Sequence, residues 1–371
     1  YNTGSDEFIY KDRYQHSSWL SMMADRLALA KQTMTEDGVI FVSIDDRELE
    51  RLRFLMASLF SDSNKIAQVT VKVKDPAGVG QQSIIFDISE YGLVFAKNIE
   101  SARLYYAQHP VSELREVTEP LRGYRHWVVS YGEKKLVRQI ERPGVGAIKI
   151  YEWVGYEIRN AEELDWEEYL SNAEHIYADY NPSGGMILAI RDYLPERGLS
   201  SIEYIPLRGK SAGQLSTVYF LNRRILAKAS DVLVIHDGHA YRRSVLTNQW
   251  EVPNAALHVE GGVGLTSGKK PELLLLKIVS AFCHERGLVL DFFVGSGTSV
   301  AVAHKTGRRW LAIDTDDTIF RMALKRMKSV LSGEPSGISR QVKWQGGGFF
   351  KYHYLEQYED TLNNLELPRA A

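Results

Sequence analysis

Cysteine is nearly absent: Cys283 is the one thiol in 371 residues. That excludes a disulfide framework and any zinc site built on clustered cysteines. Long apolar runs are missing too, none approaching the ~20 residues that cross a bilayer. No membrane partner is expected, and a cytoplasmic location is. Nor is there an excess of one charge. The formal net charge is −2, so bulk electrostatics do not announce a nucleic-acid partner. Hydrophobic residues make up 44% and charged residues 25%, ordinary values for a globular protein.

The charge is unevenly spread. Residues 121–150 hold seven Lys/Arg against two Glu, whereas residues 161–180 hold seven acids and no Lys/Arg. A basic stretch interleaved with aromatic residues suits a phosphate backbone. Two solvated faces of opposite sign would give the same composition.

SSWLSMMADRLALAKQTMTE, residues 17–36, has apolar residues at helical spacing, and VIFVSI after Gly38 reads as a strand buried on both faces. Asp45 and Asp46 are read as caps of the helix RELERLRFLMASLF, and KIAQVTVKV and EYGLVFAKN as two more strands. From about 101 to 260 the rhythm loosens into an irregular α+β pattern rich in Tyr and Trp. It then returns: helix PELLLLKIVSAFCHERG, strand LVLD, helix, strand RRWLAID and helix TIFRMALKRMKSVL. The tail FFKYHYLEQYEDTLNNL reads as a strand and a short helix. Alternating helices and short apolar strands predict a layered α/β fold. Cys283 falls on the apolar side of its helix and is read as a core thiol. His236 and His239 are read as part of a turn after a strand, and no metal is expected.

The most informative stretch is LVLDFFVGSGTSVAVA. A buried strand ends at Asp291, Phe292 and Phe293, turns through Gly295, Ser296 and Gly297, and opens a helix at Thr298. Glycines at such a corner let the backbone approach a ligand, and the helix N-terminus favours an anionic group. Asp314, 19 residues beyond Gly295, ends the next strand, where an acid meets a ribose hydroxyl in nucleotide sites. The pair fits an adenosine-type cofactor; a purely structural turn would need none. Val300 stands where a dinucleotide fingerprint wants a third small residue, and no Walker lysine comes after the glycines. S-adenosylmethionine (SAM) remains.

Asp291-Phe292-Phe293-Val294-Gly295-Ser296-Gly297-Thr298 resembles the D-x-F-x-G-S-G-T motif of DNA amino-methyltransferases, and Lys270-Pro271 resembles the K-P segment that precedes it there. YNTGSDEFIYKDRYQHSSWLSMMADRL is similar to the segment on the C-terminal side of the catalytic D-P-P-Y in N6-adenine enzymes, particularly the modification subunits of type III restriction systems. The resemblance covers roughly 1–100 and 262–365.

It implies a SAM-dependent methyltransferase (Rossmann-like) α/β sheet in permuted β-class order, with an inserted α+β target-recognition domain. The expected parts are the catalytic half, 1–100; target recognition, 101–260; the SAM-binding half, 261–332; and an extension, 333–371. It implies SAM contacts from Lys270, Pro271, residues 291–293 and 295–298, and Asp314. Phosphate contacts are expected from Arg122, Arg125, Lys134, Lys135 and Arg138. Tyr1 takes the place of the motif's aromatic residue, the activating aspartate being expected upstream of it. The chain by itself is then expected to be an inactive fragment. The implied partners are duplex DNA, a second copy in a homodimer, and a helicase-nuclease restriction subunit. An N4-cytosine enzyme and a specificity subunit without catalysis are the alternatives.

Overall fold

The computed structural model describes residues 16–73, 87–108, 112–207, 212–236, 238–252, 257, 259–264, 268–315, 317–353, 355 and 358–363. The chain divides into two compact units, residues 1–111 with 247–371, and residues 112–246.

The first unit opens with α1 (His16–Thr33), β1 (Val39–Ile44), α2 (Asp46–Phe60), β2 (Lys65–Lys72), β3 (Ser89–Ala96) and α3 (Ile99–Gln108). In α1 the residues that recur every three or four positions, Trp19, Met23, Leu27 and Ala30, are the buried ones. Asp45 caps α2, its side chain accepting the Arg47 N–H at 3.1 Å. α2 turns Leu49, Leu52, Met56 and Phe60 inward. These two helices cover β1 and β3, which run antiparallel with Val42 opposite Leu93.

The second unit contains β4 (Ser112–Val117), β5 (Tyr124–Ser130), β6 (Glu133–Arg142), β7 (Gly146–Val154), β8 (Glu157–Asn160), α4 (Trp166–Ser171), β9 (Ile176–Tyr180), α5 (Gly185–Ile190), β10 (Leu199–Tyr204), β11 (Ser216–Leu221), β12 (Arg224–Lys228), β13 (Leu233–His236) and β14 (His239–Val245). Eight of these strands form one sheet, in the order β6-β7-β10-β11-β12-β9-β5-β8. The other three form a small sheet, β13-β14-β4, in which Ser112 lies opposite Val245.

The chain then re-enters the first unit with β15 (Gln249–Glu251), α6 (Glu272–Phe282), β16 (Leu288–Asp291), α7 (Thr298–Lys305), β17 (Arg309–Ala312), α8 (Asp317–Leu331) and α9 (Tyr358–Asn363). The second unit is narrower than the expected 101–260, because the flanking residues find partners in the first. Tyr106 of α3 meets Phe282 at 6.5 Å between ring centroids, and β15 lies parallel on β2 with Trp250 opposite Val71.

The first unit's strands form a four-stranded sheet, β1-β3-β2-β15, and a parallel pair, β16-β17. Phe292 and Phe293, just after β16, pack against the cluster of Trp19, Leu52 and Phe95. The two halves of the chain therefore share one core. Among the described residues, β1 pairs only with β3 and β16 only with β17. In the tail, residues 349–353 form no strand. Two of their aromatic residues meet other rings instead, Phe350 at 5.7 Å from Trp310 and Tyr352 at 5.5 Å from Phe320, while Phe349 is exposed. No described helix is long and apolar enough to cross a membrane.

Candidate cofactor site

β16 delivers Asp291 to the start of the glycine corner, and its carboxylate folds back into the turn. It accepts the Phe293 N–H at 3.0 Å and the Ser299 hydroxyl. Burial pushes the Asp291 pKa up, with Asp314 adding to this, while the bonds from Ser299 and Phe293 pull it down. Asp291 thus shapes the loop from inside.

Asp314 comes to the same place from β17. One carboxylate oxygen accepts the Gly295 N–H at 2.9 Å and the other accepts the Thr315 N–H at 2.9 Å. The acid that sequence spacing singled out is therefore tied to the glycine turn itself. Gly297 has φ +78 at the start of α7, and a Cβ there would stand 3.1 Å from Ala323 of α8. Its lack of a side chain permits both the left-handed backbone and the close helix contact. At Gly295 the situation is reversed: the nearest atom to an added Cβ is the Phe293 oxygen, at 3.8 Å. The corner is packed on one side and open on the other.

Ser296 and Thr298 are buried, their hydroxyls 3.1 Å apart. The donors left for a ligand are the first-turn N–H groups of α7, which have no partner within the helix. Pro271 stands at the N-cap of α6, its carbonyl accepting from Leu274 and Leu275. Lys270, expected beside the SAM carboxylate, donates to Glu90 of β3. Tyr1 lies outside the described residues. Cys283 ends α6 half-buried against Val279 and Val302, and burial raises its pKa.

In the second unit the five expected phosphate contacts fall into two groups. Arg122 is exposed before β5, and Arg125 of β5 reaches the Asp179 carboxylate at 3.4 Å. Lys134, Lys135 and Arg138 lie on β6, which is not a hydrogen-bonding neighbour of β5. Lys134 pairs with Glu203 and sits 4.1 Å from the Tyr151 ring centroid. Lys135 pairs with Glu133, and Arg138 lies over Tyr193. Arg224 and His126, which no sequence pattern singled out, also converge on Asp179. Burial alone would raise the Asp179 carboxyl, but the bonds from His126 and Arg224 outweigh it and hold the pKa below the ordinary carboxylate value. Among the described residues no cluster of three or more His, Cys, Asp or Glu is arranged to hold a metal.

The sequence matches the family of N6 and N4 methyltransferases, described as DNA methylase, over residues 1–181 and 210–325. It is 36% identical to the probable type III restriction-modification enzyme HindVI Mod subunit of Haemophilus influenzae, covering 97% of this chain and 50% of that protein. It is 24% identical to the StyLTI Mod subunit of Salmonella typhimurium, covering 99% of this chain and 57% of that protein. It is 26% identical to the EcoPI Mod subunit of Escherichia phage P1, covering 84% and 48%. The chain spans about half the length of these curated relatives. With most of its residues matched by the family and its glycine corner built as described, the chain belongs to the DNA methylases.

Proposed function

We propose that this chain is the SAM-binding and DNA-reading part of an N6-adenine DNA methyltransferase, the modification subunit of a type III restriction-modification system. The observation that carries the reading is the β16–α7 corner. It is open at Gly295, packed at Gly297, and closed below by Asp314, in a chain of the DNA methylase family. A SAM molecule bound there supplies a methyl group on a cationic sulfur. The first-turn N–H groups of α7 hold its carboxylate, and Asp314 reaches its ribose.

Adenine's N6 lone pair is delocalised into the ring, so it attacks well only when a carboxylate and a backbone carbonyl accept its two hydrogens. We assign that carboxylate to an Asp-Pro-Pro strand preceding Tyr1. The one-sided pairing of β1 and β16 among the described residues supports a strand lying between them. Tyr1 then stacks on the base once it leaves the duplex. Residues 112–246 read the target, with Arg122, Arg125, Lys134, Lys135 and Arg138 on phosphates. The protein works as a homodimer beside a helicase-nuclease subunit; the relatives' names, Mod subunits of type III restriction-modification enzymes, support the place in such a system.

The test is transfer of labelled methyl from SAM to duplex DNA by the full-length protein, with base analysis of the product. Label on adenine N6 is expected. Label on cytosine N4, or SAM binding with no transfer, would overturn the assignment.

A further inference from the structure

Six charged side chains gather beneath the glycine corner. Glu272, Lys305 and Arg326 are fully buried, and Glu260, Lys269 and Glu334 adjoin them. Three carboxylates against three cations leave the group neutral, so their mutual attraction and hydrogen bonds offset the desolvation penalty that each buried charge pays. Glu272 sits at its centre, accepting Lys305 at 2.8 and 3.1 Å, Arg326 at 2.8 Å and the Ile338 N–H at 3.0 Å. Glu260 accepts from Arg326 at 3.1 Å and from the Glu272 N–H. The chain is cleared of side chains for this arrangement: a Cβ on Gly261 would stand 2.6 Å from Arg326 Nε.

One bond links the group to the glycine corner. Arg326 Nη1 donates to the Thr298 hydroxyl at 2.8 Å, and Thr298 is the first residue of α7, hydrogen-bonded in turn to Ser296. A guanidinium presents two Nη groups in a fixed fork, so Arg326 holds Glu272 and Glu260 with one and the corner with the other. We infer that Arg326 is a positioning residue for the cofactor, acting through Thr298 to fix the backbone that SAM meets. This rests on the corner being the SAM site. A cluster serving stability alone would need the charge at position 326 but not the link to Thr298.

Calorimetric SAM titration of the full-length protein, with denaturation curves alongside, separates these cases. Arg326→Lys keeps the charge and loses the fork, while Thr298→Val keeps the shape and loses the hydroxyl. Each is expected to weaken SAM binding on the order of tenfold, the size of one charged hydrogen bond. The double variant should be little worse than either single one, because both cut the same link. DNA affinity should not change. Thr298→Ser, which retains the hydroxyl, should restore binding, and it keeps the test decisive if Arg326→Lys folds poorly. Wild-type affinity in either Arg326→Lys or Thr298→Val, or effects that multiply in the double variant, would overturn the inference. A wild-type protein that binds no SAM would sink the site assignment instead.

Discussion

Gly295 and Gly297 differ by two positions and share a left-handed backbone, φ +54 and +78, yet replacing them by alanine should have unequal consequences. Each substitution costs about 1–2 kcal/mol for placing a Cβ on left-handed backbone. At Gly295 nothing further is added, because the nearest atom is 3.8 Å away. At Gly297 the new methyl meets Ala323 Cα and Cβ at 3.1 Å, between two packed helices. Overpacking of that kind costs roughly 1–3 kcal/mol more. Urea denaturation at fixed pH should therefore place Gly297→Ala below Gly295→Ala by that margin, with m unchanged. The order should invert for larger residues and SAM: Gly295→Val should fold and fail to bind, since its side chain occupies the open face. Equal stability of the two alanine variants would show that α7 and α8 yield freely and that the corner is not packed as described. Unchanged SAM affinity in Gly295→Val would refute the assignment of the open face.

The same geometry gives three further expected outcomes. Arg125→Gln should weaken binding to all DNA sequences and lower the slope of log affinity against log salt by about 0.9; an unchanged slope would make Arg125 a solvated partner of Asp179 only. The depressed pKa of Asp179 means that its contribution is present above the unfolded carboxylate pKa and is lost as pH falls through the folded one. Stability should thus fall on acidification below about pH 4, and Asp179→Asn should flatten that limb; urea midpoints between pH 2 and 6 would show it, and an identical pH profile would refute it. Changing the proposed upstream Asp-Pro-Pro to Ala-Pro-Pro in the full-length protein should abolish methyl transfer with SAM affinity intact. Persistent transfer would place the acceptor elsewhere.

What the sequence made legible was what short-range pattern encodes. The three- and four-residue spacing of α1 and α2, the apolar run of β1 and the strand–glycine–helix corner all depend on neighbours in the chain, and all are found. Contacts set by tertiary packing were harder to foresee. Nothing in the sequence pairs Lys270 with Glu90, 180 residues away, the carboxylate it donates to in the fold. Arg326 and Lys305 carry no motif that marks them out in the sequence. Their burial shows only when Glu260, Glu272 and Glu334 are brought together from other segments. A charged residue among the inward positions of α8, between Ala323 and Met327, was the one available clue. The tail misled because alternating aromatic residues fit a strand as well as they fit a chain draped over β17 and α8.

The pairing of Ser112 with Val245 has a consequence for how such a protein can change. The second unit leaves and returns to the rest of the chain through neighbouring positions of an antiparallel ladder, whose facing Cα atoms stand only about 5 Å apart. A segment with adjoining ends can be exchanged for another of any size without pulling on its surroundings, and closing the chain around a longer guest costs little entropy. On the proposed reading, in which residues 112–246 read the target, specificity is carried as a removable cassette. Grafting the equivalent segment of a relative between positions 112 and 245 should transfer the target sequence while the methyl-transfer machinery stays as it was.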